Sequence, residues 1–202
     1  MSKLADLENI FYDMYPDGFD DDEMRSIEKK HKLDKFSKMS QEMFSEEAFE
    51  TQDIVDNFYK IVNRSTLVSR FEKPLFKTFI QSIDEEEKEQ LVSHLHEYVH
   101  GDEEKGFLGM IAIMQPYKVA KWPILTVLNA YLNLEEDVFI KPTTVKMILK
   151  YFDSELEYTS KPNYEFYRDY RSFFNTIKLE ASSGIKSNNP SFSGFLMMTI
   201  GK

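Results

Sequence analysis

The segment from Lys118 to Lys178 constrains the fold most, because large apolar side chains recur at helical spacing three times within it. The three sets are Trp122, Leu125, Leu128 and Leu132; Val145, Ile148, Leu149 and Phe152; and Tyr167, Tyr170, Phe174 and Ile177. A recurrence every three or four residues places one face of a helix against a core. Pro123 and Pro142 suit first helical turns, where the N–H that proline lacks has no partner to lose. The segment therefore predicts three packed helices.

Apolar residues repeat in the same way along most of the remaining chain. We expect one all-α domain over residues 1–202, an irregular bundle of about ten helices in which the later helices surround the Trp122 helix. Residues 1–50 are more polar and predict N-terminal helices, while residues 51–202 predict the core. Only seven glycines and seven prolines leave few turns, which disfavours a many-stranded β fold.

Individual helix boundaries follow from capping residues and charge. Asp20 to Lys38 predicts one mostly solvated helix, and Ser40 and Thr51 are the predicted N-caps of the next two. Asp84 and Glu87 have the spacing of a capping box. In the helix before that box, we expect five apolar residues to face the core: Leu75, Phe76, Phe79, Ile80 and Ile83.

Composition narrows the classes of function. The net charge of -10 disfavours non-specific binding to nucleic acids or anionic membranes, which requires a surplus of lysine and arginine. The chain has no cysteine, so it offers no disulfide and no thiolate metal site. Its N-terminus lacks the apolar core of a signal peptide, and its longest apolar region is interrupted by lysines. We expect a cytoplasmic protein with no membrane segment and no cofactor.

Residues 96–100 read HEYVH and match the H-E-x-x-H motif of zinc peptidases. In those enzymes two histidines one helical turn apart bind Zn²⁺, and the glutamate between them activates the bound water. Here the apolar side of the helix is formed by Leu91, Leu95 and Val99, so His96 and His100 are expected to point outward, onto a solvated face. No third ligand is evident from the sequence. We expect no metal site, and a zinc-dependent hydrolase using His96, Glu97 and His100 remains the alternative.

Several short motifs from Ile61 onward resemble a family of bacterial proteins of unknown activity. The matching residues are Val62-Asn63, Leu67, Phe71-Glu72-Lys73, Lys121-Trp122-Pro123, Phe139-Ile140-Lys141-Pro142-Thr143, Tyr158, Pro162-Asn163-Tyr164 and Tyr167. The chain departs from the family pattern at Arg70, at Pro74 and in its C-terminal tail. The resemblance implies a compact helical protein of the bacterial cytoplasm, and it implies no reaction.

The candidate partner-binding residues are the polar side chains beside these motifs: Asn63, Arg64, Glu72, Lys73, Lys141 and Thr143. Their alternative role is to cap helices and to form ion pairs at helix ends. The favoured hypothesis is a non-catalytic interaction or regulatory protein that binds a protein partner or forms a homodimer. A third hypothesis, an accessory protein in nucleic-acid processing, requires a basic groove within an acidic chain.

Overall fold

The computed structural model describes residues 2–202, and within them the secondary structure is entirely helical. The helices are α1 (Lys3–Met14), α2 (Asp22–His31), α3 (Leu33–Met43), α4 (Glu46–Thr51), α5 (Ile54–Arg64), α6 (Glu72–Ser82), α7 (Glu85–His100), α8 (Glu103–Met114), α9 (Trp122–Leu132), α10 (Pro142–Tyr151), α11 (Tyr164–Glu180) and α12 (Asn189–Thr199). A short 3₁₀ helix spans Gly18–Asp20. The predicted all-α bundle is confirmed.

Helix α9 lies at the centre, and every residue from Trp122 to Tyr131 is buried. A helix that is apolar on all sides is stable only inside a core. Its closest helical neighbours are α3, α5 and α8. The expectation that later helices surround α9 is therefore incomplete, since earlier helices form much of its environment. The later part of the chain reaches it through the Trp122 indole N–H, which donates to the Thr159 carbonyl at 2.8 Å.

One cluster of buried apolar side chains runs from Leu4 to Leu196 and includes residues of the N-terminal helices. The two ends of the chain meet in it, because α1 packs on α12 and the rings of Phe11 and Phe195 lie 5.3 Å apart. None of the helices in residues 2–202 combines the length and apolar character that a membrane span requires.

Helices α7 and α8 form the most closely packed pair, and glycine permits the approach. A Cβ atom built on Gly106 would lie 2.2 Å from the Tyr98 backbone nitrogen. One built on Gly109 would lie 2.2 Å from the His94 ring. Neither glycine has a positive φ, so the demand at these positions is for space alone.

Three predicted helix boundaries are wrong. The single helix over Asp20–Lys38 is divided at Lys32, which adopts the left-handed conformation (φ 52°, ψ 41°) between α2 and α3. Ser40 lies inside α3 and Thr51 is the last residue of α4. The hydroxyl of Thr51 donates to the Glu47 carbonyl at 2.7 Å and cannot cap the following helix.

The N-caps of α4 and α5 lie two to five residues further along the chain than predicted. The side chain of Ser45 accepts from the Ala48 N–H, and that of Asp53 accepts from the Asp56 N–H. The capping box of Asp84 and Glu87 at the start of α7 is confirmed, with both reciprocal hydrogen bonds formed.

Candidate functional site

The two histidines of HEYVH lie at the surface and contact α4. His96 Nε2 lies 2.8 Å from Glu46 Oε2, and His100 Nδ1 lies 3.8 Å from Glu46 Oε1. The other ring nitrogen of His100 bonds to the Phe44 carbonyl at 2.7 Å. Phe49 packs edge-on against both imidazoles, at centroid distances of 5.0 and 5.6 Å. Both rings remain partly solvated, with 43% and 23% of their side-chain surface exposed, and they also connect α4 to α7.

The glutamate of the motif is directed elsewhere. The carboxylate of Glu97 accepts from Lys105 Nζ at 2.6 Å and from the Asp102 backbone N–H at 3.0 Å. The hydrogen bond from Lys105 lowers the pKa of Glu97. Within residues 2–202 no three histidine, aspartate or glutamate side chains are arranged to hold a metal ion. The Glu97 carboxylate is thus paired with Lys105 and the Asp102 backbone, while the two histidines contact Glu46.

A polar cleft of about 1030 Å³ lies beside this contact, with Arg171 on its floor. The guanidinium donates to both oxygens of Glu103 at 2.7 Å and to Asp137 Oδ1 at 2.5 Å. Tyr164 and Tyr167 donate their hydroxyl protons to these same two carboxylates. The network therefore ties α8 and α11 to the segment between α9 and α10.

The pKa shifts in this network show how strongly its groups are coupled. Burial alone would raise the pKa of Glu103, but hydrogen bonds from Arg171 and Tyr164 hold that pKa below its usual value. Burial, together with the neighbouring Glu103 carboxylate, raises the pKa of Tyr164 to about 12. The carboxylates are satisfied by their own chain, so the network has the properties of a structural cross-link.

The six predicted partner-binding residues occupy three helix ends. Asn63 and Arg64 end α5, Glu72 and Lys73 begin α6, and Lys141 and Thr143 lie at the start of α10. Two of them have the alternative, structural role: Glu72 accepts from the Ser69 N–H at 3.2 Å, and Lys73 Nζ donates to the Ser65 carbonyl at 2.6 Å. The other four are exposed.

Two exposed apolar residues stand among these helix ends. Phe71 is 72% exposed and Leu75, one helical turn later, is 55% exposed. The guanidinium of Arg70 lies 4.9 Å from the centre of the Phe71 ring. We define the α5–α6 corner as the surface formed by Arg64, Arg70, Phe71 and Leu75. It carries two arginines, whereas Lys73 and Lys77 of α6 lie about 160° around the helix from Leu75.

Residues 65–71, which connect α5 to α6, also border a cavity of about 260 Å³. Thr66 and Leu67 line one wall of it, and Lys141 lines another. Lys141 is thus the one predicted partner-binding residue among those that line this cavity, which we call the α2–α12 pocket because both of those helices also line it.

Comparison of the chain with models of protein families, with curated proteins and with solved structures gave no significant match. The resemblance to a bacterial family thus stays a prediction.

The sequence interpretation missed the apolar part of the α5–α6 corner, since Leu75 was expected in the core. Phe76, Phe79 and Ile83 are the residues of α6 and its C-cap that are buried. Leu75 immediately precedes Phe76, and neighbouring helical residues point about 100° apart. The spacing of Phe76, Phe79 and Ile83 was the available signal that Leu75 lies off the buried face.

Proposed function

We propose that this chain is a non-catalytic interaction protein of the bacterial cytoplasm, and that its α5–α6 corner binds an acidic segment of a partner protein. The observation that carries the proposal is the exposure of two large apolar side chains four residues apart, Phe71 at 72% and Leu75 at 55%. Scattered single apolar residues are normal on a protein surface, whereas adjacent large ones within a charged rim are typical of binding surfaces.

The corner is held in shape before any partner arrives. The Ser65 side chain is buried and accepts hydrogen bonds from the N–H groups of Leu67 and Val68, and it also bonds to the Tyr131 hydroxyl at 2.8 Å. Lys73 joins the start of α6 to the Ser65 carbonyl. A connection fixed at its base loses little conformational entropy when its outer residues are bound.

Charge selects the kind of partner. The corner carries Arg64 and Arg70 on a chain whose net charge is -10. A local excess of positive charge favours an acidic segment, and complementary charge mainly raises the association rate. An aromatic or leucine side chain in that segment would contact Phe71 and Leu75. A second copy of this chain is a weaker candidate, because two strongly acidic molecules repel each other.

The proposal is tested by placing a photo-cross-linking phenylalanine analogue at position 71 and irradiating cells of the source organism. Position 179 is the matched control, because Leu179 is 71% exposed on α11. We expect a discrete adduct from position 71 and not from position 179. The cross-linked peptide should be acidic, and the yield should fall several-fold in an Arg64→Glu/Arg70→Glu variant.

Three outcomes would contradict the proposal. An adduct of the chain with itself, supported by a concentration-dependent dimer in light scattering, would assign the corner to a homodimer. An adduct with RNA or DNA would favour the nucleic-acid hypothesis. Equal labelling from positions 71 and 179 would show that the corner has no preferred partner.

A further inference from the structure

The α2–α12 pocket is an apolar cavity. Most of its wall is apolar, and its apolar lining residues include Phe19, Leu67, Phe139, Phe174, Met197 and Met198. Its volume is about 260 Å³. Since an apolar cavity of about 150 Å³ holds benzene, this one has room for a ligand of about ten to twelve non-hydrogen atoms. Methionines suit such a wall because their side chains adapt to the shape of a ligand.

A few polar groups lie around the apolar wall, and one of them is a lysine. Lys141 is the only lysine or arginine among the described residues that line the pocket. His31 bonds through Nδ1 to the Thr66 hydroxyl at 3.0 Å, and burial, with Lys30 nearby, lowers its pKa, so its ring is neutral at pH 7. Glu28 also lines the pocket, and burial raises the pKa of its carboxyl group. Lys141 is therefore the cation that can pair with an anionic ligand, and Glu28 is the acidic side chain that such a ligand must avoid.

Asn189 also lines the pocket, but its side chain is held by the chain itself. Asn189 is 2% exposed, and its Nδ2 donates to the Asp137 carbonyl at 3.1 Å and to Asn175 Oδ1 at 2.9 Å. Its Oδ1 atom is buried and has no hydrogen-bond partner among the described residues. A carboxylate has no proton to donate, so this atom is not a contact for an acidic ligand.

We propose that the α2–α12 pocket binds an amphiphilic acid, whose apolar body fills the cavity and whose carboxylate pairs with Lys141. A linear acyl chain and an aryl-alkyl group of the same size satisfy this chemistry equally. The inference goes beyond the proposed function and does not depend on it, because binding is measured on the isolated chain.

The test uses the methionine methyl groups of the intact chain as probes. With ¹³C-labelled methionine methyls, decanoate is titrated below its micelle concentration and followed by NMR. We expect the signals of Met24, Met197 and Met198, which line the pocket, to shift and to saturate together. Met110 and Met114, buried in α8 and absent from the pocket wall, are the internal controls and should not shift. Repeating the titration with 4-phenylbutanoate, of similar size, distinguishes an acyl from an aryl preference.

Two variants and one analogue test the details. Lys141→Met should weaken decanoate binding about fivefold, the loss of one partly solvated ion pair. Gly194 lines the pocket and a Cβ built there meets no atom within 4 Å, so Gly194→Phe should fill space, abolish binding and preserve the helical circular dichroism. Decylamine should bind more weakly than decanoate.

The proposal is overturned if the pocket methionines do not shift, or if all methionine signals shift alike. Equal binding of decylamine and decanoate, or an unchanged affinity in Lys141→Met, would show that the ligand's carboxylate does not pair with Lys141. None of these results bears on the cross-link at position 71, so the two proposals fail independently.

Discussion

The same substitution, glycine to alanine, should have opposite effects on stability at two helical positions of this chain. At Gly106 in α8, the added Cβ would lie 2.2 Å from the Tyr98 backbone nitrogen, 2.5 Å from the Tyr98 Cα and 2.6 Å from the His94 carbonyl oxygen. At Gly194 in α12, it would meet no atom within 4 Å. Both positions lie inside helices and neither has a positive φ, so the backbone conformations accept alanine equally.

The magnitudes follow from these distances. Non-bonded carbon atoms prefer separations of about 3.5–4.0 Å, so α7 and α8 must move apart by more than about 1 Å to accept the methyl group that Gly106→Ala introduces. The obstructing atoms are backbone and cannot rotate away. Overpacking of this kind costs about 3 kcal/mol, against which the helix propensity of alanine returns about 1 kcal/mol. We expect Gly106→Ala to lower the free energy of unfolding by about 2 kcal/mol and Gly194→Ala to raise it by about 0.5–1 kcal/mol.

Urea unfolding followed by far-ultraviolet circular dichroism measures both changes. The midpoint should fall for Gly106→Ala and rise for Gly194→Ala, with the slope m unchanged in both. The reasoning is refuted if the two midpoints move in the same direction, or if Gly106→Ala leaves the midpoint where it was. Either result would mean that the backbones of α7 and α8 are not so close at Gly106 that they exclude a Cβ atom.

Three further perturbations have defined outcomes. Arg171→Met leaves the buried Asp137 carboxylate without its cation and should lower the free energy of unfolding, measured by urea unfolding, by about 3 kcal/mol. A loss below about 1 kcal/mol would show that the network is as weak as surface ion pairs. Lys32→Gly removes a left-handed lysine and should raise the thermal midpoint by the equivalent of about 1 kcal/mol, and a lower midpoint would contradict this origin of the α2–α3 break. The pKa of Tyr164 is raised to about 12 in the folded chain, so the unfolded chain loses that proton first, and the free energy of unfolding should fall as the pH rises from about 10 to about 12. Tyr164→Phe should make this fall less steep when urea unfolding is measured at several pH values. An equally steep fall in the variant would refute the contribution of Tyr164.

The elements that the sequence predicted well are those in which one strong pattern acts alone. The Trp122 helix has apolar residues throughout, a proline at its start and no competing turn signal, so both its existence and its position follow from spacing. The capping box of Asp84 and Glu87 is likewise local, because its hydrogen bonds join residues three apart. Neither feature needs knowledge of a distant partner.

The elements that the sequence misplaced depend on contacts between distant segments. Lysine is not a residue type that favours the left-handed conformation, yet Lys32 adopts it between two amphipathic helices that both pack on the core. His96 and His100 lie off the apolar face of α7, as the spacing indicates, yet α4 covers them through Glu46 and Phe49. A helical projection gives the direction of a side chain, but it does not say which other helix lies in that direction.

The candidate site illustrates the same limit and suggests why it has its position. Asn63, Arg64 and Lys141 stand beside short motifs, and no pattern in the sequence says which surface each of them occupies. Ser65 is fully buried, bonds to Tyr131 of α9 and accepts from the N–H groups of Leu67 and Val68, so it holds the start of the connection between α5 and α6 against the core. From that fixed point the connection contacts the α2–α12 pocket on one side and exposes Phe71 on the other. A single buried hydroxyl therefore fixes the connection that borders the proposed ligand pocket and carries the proposed partner surface.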